Sequence, residues 1–83
     1  MYWVYILENP AGKFYIGQTN DLDGRMKDHN LPSDGTGKYS RKNGPWHLVW
    51  SEEHSTRSSA IVREKFIKSR KSSEWIRLHM LNR

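Results

Sequence analysis

The first twenty residues contain two short segments rich in apolar side chains, separated by a polar stretch, and this pattern predicts two short strands. Residues Tyr2 to Leu7 and Lys13 to Gln18 are rich in aromatic and β-branched side chains, which favour strands. The segment between them, "ENPAG" at residues 8–12, has a proline and a glycine that favour a turn. The pattern predicts a β-hairpin.

The expected register of this hairpin pairs Leu7 with Lys13, and therefore Tyr5 with Tyr15. Successive side chains of a strand point to opposite faces, so the two tyrosines should lie together on one face. Gly17 leaves space on that face. The opposite face is expected to be apolar and to consist of Val4, Ile6, Phe14 and Ile16.

The polar stretch after the hairpin predicts a short helix from Asp21 to His29, with Asn20 as its N-terminal cap. Arg25 and His29 are four residues apart, so they lie one turn apart on the same side of this helix. The apolar stripe of the helix is formed by Leu22 and Met26.

The remainder of the chain predicts a loop, a third strand and two further helices. The loop is residues 31–45, and Trp46 to Ser51 is a largely buried strand. A helix beginning at Ser58 or Ser59 reaches about Arg70, and a last helix follows a cap at residue 72 or 73. The predicted fold is α+β, with a small three-stranded antiparallel sheet flanked by helices in the order β-β-α-β-α-α. We expect one domain over residues 1–83.

One carboxylate of the second predicted helix stands out. Glu64 lies on a mostly apolar stripe that also contains Ala60, Ile61 and Ile67. Two interpretations stay open: a carboxylate directed into a site, or an ion pair with Lys68 one turn later.

Composition narrows the classes of function. The 83 residues include no cysteine, which excludes disulfides and thiolate metal sites and favours a cytoplasmic protein. No apolar run is long enough to cross a membrane. The net charge of +5 comes entirely from residues 42–83, which carry nine basic and four acidic side chains. This excess of positive charge favours a polyanionic partner such as nucleic acid.

Three motifs in order resemble the GIY-YIG nuclease superfamily. "VYI" at residues 4–6 and "YIG" at residues 15–17 resemble the pair that names it, although Val4 stands where the motif has glycine. "TNDLDGRMKDHN" resembles the helix that carries the family's arginine and histidine, and "SSAIVREKFIKSRK" its metal-binding helix. The asparagine that some members carry after the glutamate has no convincing match here.

The resemblance implies a divalent-metal-dependent DNA endonuclease in repair, recombination or mobile-DNA processing, leaving a 5′-phosphate and a 3′-hydroxyl. Glu64 would hold one Mg²⁺ or Mn²⁺, an ion often bound by one or two carboxylates plus waters and phosphate. Arg25 would clamp the scissile phosphate. Tyr5 is the candidate general base, Tyr15 would position water or phosphate, and His29 would relay a proton. The residues alone leave open which tyrosine is the base.

The remaining DNA contacts are expected from basic segments on either side of the third strand. The candidates are Lys38, Tyr39, Arg41 and Lys68, with further basic residues at Lys42, Arg63, Lys65, Arg70 and Lys71. No separate DNA-reading module is recognisable, so a targeting protein is a further expected partner. Two other functions stay open: a non-catalytic nucleic-acid-binding module that retains the fold, and a protein-interaction domain.

Overall fold

A computed structural model describes the backbone of residues 1–30, 45–70 and 72–82, together with their side chains except those of 28–30. The sheet has the strand order β2-β1-β3, and both pairings are antiparallel. The predicted α+β fold and element order are confirmed. In chain order the elements are β1 (Tyr2–Glu8), β2 (Phe14–Thr19), α1 (Leu22–Asn30), β3 (His47–His54), α2 (Arg57–Ser69) and α3 (Ser73–His79).

The hairpin forms, but its predicted register is wrong by two residues. Leu7 pairs with Tyr15, and Tyr5 pairs with Gly17. The cause is Asn9, whose side-chain oxygen accepts a hydrogen bond from the Lys13 amide at 2.8 Å and closes a tight loop. Gly12 completes that loop at a positive φ of 80°. A shift of two residues keeps every side chain on its expected face, so the tyrosines still share one.

Helix α1 begins one residue later than predicted, and its cap is Asp21 rather than Asn20. The Asp21 carboxylate accepts a hydrogen bond from the Gly24 amide at 3.1 Å. The Thr19 hydroxyl in turn accepts one from the Asp21 amide at 3.0 Å. Both bonds satisfy amides at the turn between β2 and α1 and fix where the helix leaves the sheet.

Strand β3 is longer and more exposed than the sequence predicted. It runs to His54, and it lies at an edge of the sheet, where His47, Leu48 and Ser51 are exposed. The pairing with β1 changes register between Ile6 and Leu7, so Val49 is an extra residue in β3. Trp46 precedes the strand and is buried.

The two helices after β3 have well-defined starts. Thr56 caps α2 by accepting a hydrogen bond from the Ser59 amide at 3.2 Å. Ser72 caps α3 by accepting one from the Trp75 amide at 3.1 Å, as predicted. Phe66 of α2 and Trp75 of α3 pack edge to face, with ring centroids 5.9 Å apart.

Each face of the sheet has its own core. Val4 and Ile6 pack on one face against Ala60 and Ile67 of α2, with Ile76 of α3. The second core, on the other face, consists of Tyr5, Leu7 and Trp46 with Tyr15, Leu22 and Met26 around them. Helix α1 therefore covers the tyrosine face, and α2 and α3 cover the opposite face.

Candidate active site

The two tyrosines of the candidate site lie together, as predicted. Their rings are 6.5 Å apart between centroids and are inclined by 20°. Tyr5 is 2% exposed, whereas Tyr15 is half-buried and contacts the edge of Trp46 at a centroid distance of 6.1 Å. The neighbouring rings fix the plane of each phenol, which is a condition for placing a hydroxyl accurately.

Gly17 determines where the Tyr5 hydroxyl lies. A Cβ atom at Gly17 would be 2.6 Å from the Tyr5 hydroxyl oxygen and 2.8 Å from Cζ. The phenol therefore crosses directly over the backbone of β2, and only glycine leaves room for it. Because β2 is an edge strand, the hydroxyl of a buried central-strand residue is carried to the border of the sheet.

Arg25 is exposed on α1 and lies at the end of the hairpin away from the 9–13 turn. It lines a hollow of about 250 Å³. Gln18 and Thr19 point to opposite faces of β2, yet both line this hollow, so it wraps around the border of the sheet. The described residues that line it are Tyr2, Gln18, Thr19, Asn20, Arg25 and Arg57.

Glu64 lies on α2 and is mostly buried, with 18% of its side chain exposed. Its carboxylate is 2.7 Å from the Lys68 ammonium, so the ion pair considered from the sequence does form. Helix α2 packs on the face opposite the tyrosines. A site shared by Glu64 and the tyrosines therefore requires that they meet at the β2 border, where α2 also contacts β2. The catalytic role of Glu64 stays a prediction.

The other predicted site residues fall outside what the structure describes or have structural partners. Lys38, Tyr39 and Arg41 lie outside the described residues, and so does the side chain of His29, whose backbone belongs to α1. Arg63, a candidate phosphate contact, instead pairs with Glu52, with Nε 3.2 Å from the carboxylate oxygen. Arg70 lies over the rings of Phe66 and Trp75.

A polar network that the sequence did not reveal joins the end of β3 to the start of α2. His54 Nε2 lies 2.7 Å from a Glu52 carboxylate oxygen, and Nδ1 lies 2.6 Å from the Ser59 hydroxyl. A carboxylate only accepts, so in the neutral ring Nε2 donates to Glu52 and Nδ1 accepts from Ser59. With Arg63, this chain of contacts fixes the first two turns of α2 against the sheet.

The side chains around Glu64 fit a hard cation only if water and substrate supply the remaining ligands. Within residues 1–27, 45–70 and 72–82, no group of three His, Asp or Glu side chains could hold a metal ion. Magnesium is commonly held by one or two carboxylates, with waters and substrate phosphates completing its shell. Glu64 can serve as such a single carboxylate if Lys68 moves from its present position.

The paired tyrosines of the hairpin and the arginine of α1, in an α+β fold of this order, agree with the GIY-YIG nuclease resemblance of the sequence motifs. The family model for the GIY-YIG catalytic domain matches residues 1–77, and the chain belongs to this family. GIY-YIG domains are generally nuclease domains that act on DNA. In the part of the chain that the structure describes, no helix is long and apolar enough to cross a membrane.

Relatives cover nearly the whole chain. UPF0213 proteins of Staphylococcus aureus strains Mu3 and COL are each 36% identical over 77 residues, which is 93% of this chain and 92% of theirs. The solution NMR structure of a UPF0213 protein from Bacillus halodurans is 35% identical, with a TM-score of 0.54. It covers 95% of this chain and 86% of its own. These similarities support the same family assignment, and the names of these relatives specify no reaction.

Proposed function

We propose that this protein is a divalent-metal-dependent DNA endonuclease that hydrolyses phosphodiester bonds in DNA repair, recombination or mobile-DNA processing. The observation that carries the proposal is the stacked Tyr5–Tyr15 pair, with the Tyr5 hydroxyl held over Gly17, in a chain that matches the GIY-YIG catalytic domain. Packing of the sheet alone would not require the Tyr5 phenol to extend over the neighbouring strand β2. Arg25 lines a hollow at Gln18, the residue next to Gly17 on β2, and an arginine there suits work on a phosphate.

Each residue of the site has a proposed task. Arg25 binds the scissile phosphate, because a guanidinium offers two parallel donors to phosphate oxygens. Tyr5 accepts the proton of the attacking water, Tyr15 positions that water or the phosphate, and His29 passes the proton to solvent. Glu64 holds one Mg²⁺ or Mn²⁺, which when bound supplies positive charge against the charge that develops on the phosphoryl oxygens.

The proposed roles require that the Tyr5 hydroxyl be able to accept a proton near neutral pH. A free tyrosine has a pKa of about 10, so few molecules are ionised at neutral pH. Positive charge near the hydroxyl favours the phenolate and so raises the fraction of molecules in which the group can accept a proton at neutral pH. Arg25, close to the same end of the hairpin, is the charged residue of this chain proposed for that task.

A second function has one specific observation in its favour. The Glu64 carboxylate is already paired with the Lys68 ammonium, so a divalent cation has to compete with it. A protein that kept this pair permanently would retain the fold and bind nucleic acid through Lys38, Tyr39, Arg41 and Lys68 without cleaving it. In either case a targeting protein would supply the choice of DNA site.

The test is cleavage of branched, nicked, single-stranded and plain duplex DNA with Mg²⁺ or Mn²⁺, comparing wild type with Glu64→Gln. Glutamine keeps the shape of the side chain and removes the charge that would hold the cation, so cleavage should fall by several orders of magnitude. Folding should persist, since a neutral amide is less costly to bury than a carboxylate.

The matched control is Glu53→Gln, the same change at an exposed position on β3, at the opposite border of the sheet from β2. Its cleavage rate should equal that of wild type. A folded Glu64→Gln protein that cleaves at the wild-type rate would refute the role of Glu64. A wild type that binds DNA but cleaves none of the substrates with either ion would favour the binding module.

A further inference from the structure

We infer that Arg57 binds a second DNA phosphate, adjacent to the one held by Arg25, so that the hollow at the hairpin end is a phosphate subsite. This inference rests on the proposed function and identifies a substrate contact on a different helix. Arg57 is the first residue of α2, and it lines the same hollow as Arg25 of α1.

The lining of the hollow suits an anion. Among the residues that the structure describes, the lining contains two guanidinium groups and no Asp or Glu. Gln18 and Asn20 add amide groups, and Tyr2 adds a hydroxyl, all of which can donate hydrogen bonds to phosphate oxygens. Two positively charged groups beside one small space favour an anion there.

Local structure gives no other reason for Arg57 to be where it is. The start of a helix favours acidic side chains and disfavours cations, yet the first turn of α2 has no acidic residue. Among the residues that the structure describes, Arg57 has no acidic partner. The Thr56 cap fixes the start of the helix and so fixes the origin of this side chain beside β2.

The geometry of α2 relates the subsite to the rest of the proposed site. Arg57 and Glu64 are seven residues apart, which is nearly two full helical turns, so they lie on the same face of the helix. The separation along the axis is about 10 Å at a rise of about 1.5 Å per residue. A nucleic-acid strand that contacts both Arg57 and Glu64 would do so through different nucleotides, which separates the subsite from the proposed metal position.

The experiment measures binding without cleavage. A short fluorescein-labelled DNA duplex is titrated with protein in EDTA, and anisotropy is followed at several salt concentrations. Arg57→Gln should weaken binding by about tenfold, as expected for one lost charge-assisted hydrogen bond. It should also lower the slope of log K against log salt by about 0.9, because one phosphate contact is lost.

The control and the conservative variant make the test specific. Lys13→Gln removes the same charge from an exposed position at the turn, at the opposite end of the hairpin, and should leave the slope unchanged. Arg57→Lys should restore most of the slope but less of the affinity, because lysine keeps the charge and lacks the planar fork. Arg57 is exposed, and circular dichroism should confirm that each variant is folded.

The outcomes separate this inference from the proposed function. If Arg57→Gln binds with the affinity and slope of the Lys13→Gln control, the subsite is refuted even when the wild type cleaves DNA. If the wild type cleaves nothing but Arg57→Gln loses affinity and slope, the subsite stands and the nuclease proposal falls. Where cleavage occurs, Arg57→Gln should change KM more than kcat, whereas Arg25→Ala should lower kcat.

Discussion

Replacement of Gly17 by alanine tests the geometry on which the candidate site depends. A glycine inside a strand is usually less stable than alanine by about 0.5–1 kcal/mol, so this substitution would ordinarily stabilise the protein. Here the added Cβ would lie 2.6 Å from the Tyr5 hydroxyl oxygen, whereas ordinary contact begins at 3.4 Å. The phenol therefore has to move by about 0.8 Å, the difference between these two distances.

The structure sets the size of the effect. Tyr5 is 2% exposed and packs against Leu7 and Trp46, so its ring has little room to move aside. Overpacking of a tight core costs about 1–3 kcal/mol. For a domain of this size each kcal/mol lowers Tm by about 4–8 °C. A displacement approaching 1 Å at a reacting group can also reduce the rate by about a hundredfold.

The assay is thermal unfolding followed by circular dichroism, with cleavage measured on the same samples. A double-mutant cycle with Tyr5→Phe identifies the contact, because removing the hydroxyl removes the closest atom. Gly17→Ala should therefore destabilise the Tyr5→Phe protein less than the wild type. The reasoning fails if Gly17→Ala raises Tm in the wild-type background, or if its effect is the same in both backgrounds.

Two further predictions follow from the caps and from the ion pair. Asp21→Ala should destabilise the protein by about 1 kcal/mol, because the Asp21 side chain caps α1, and Asn20→Ala should destabilise it by much less. Equal losses of stability in urea denaturation would contradict this assignment. Lys68→Met should tighten Mn²⁺ binding by about twofold, as measured by calorimetric titration. In this variant the cation no longer has to displace the Lys68 ammonium from Glu64, and an i,i+4 ion pair contributes about 0.3–0.5 kcal/mol. Weaker Mn²⁺ binding in Lys68→Met would show that Lys68 does not compete with the ion.

The faces of the sheet were predictable, whereas the pairing of individual residues was not. Alternation with a period of two is a local property, and it placed Tyr5 and Tyr15 on one face and Val4 and Ile6 on the other. The register depends on the loop closed by hydrogen bonds between Asn9 and residues 12 and 13, including one from the Lys13 amide to the Asn9 side chain, which no hydrophobic pattern records. Only the structure shows that Tyr5 pairs with Gly17. The steric reason for a glycine at this position therefore also came only from the structure.

The side of the sheet on which each helix packs was also beyond the sequence. The apolar stripe around Glu64 correctly predicted the buried side of α2 through Ala60 and Ile67. It could not say which face of the sheet that side covers, since both faces are apolar enough to receive a helix. Arg57 carried no sequence signal either, because its proposed role depends on Arg25 and Arg57 lining the same hollow at the end of β2.

The central position of β1 has a consequence for how the site opens. This strand is hydrogen-bonded on both sides, and its residues Val4 to Leu7 are at most 2% exposed. Amides in such a strand exchange with solvent only when the whole domain unfolds, whereas a helix held by a few partly buried side chains also opens locally. Tyr5 should therefore belong to the slowest-exchanging part of the protein, and Arg25, on a helix held through Leu22 and Met26, to a faster one. Hydrogen exchange would then divide the candidate site into a slowly exchanging part that contains Tyr5 and a faster part that contains Arg25.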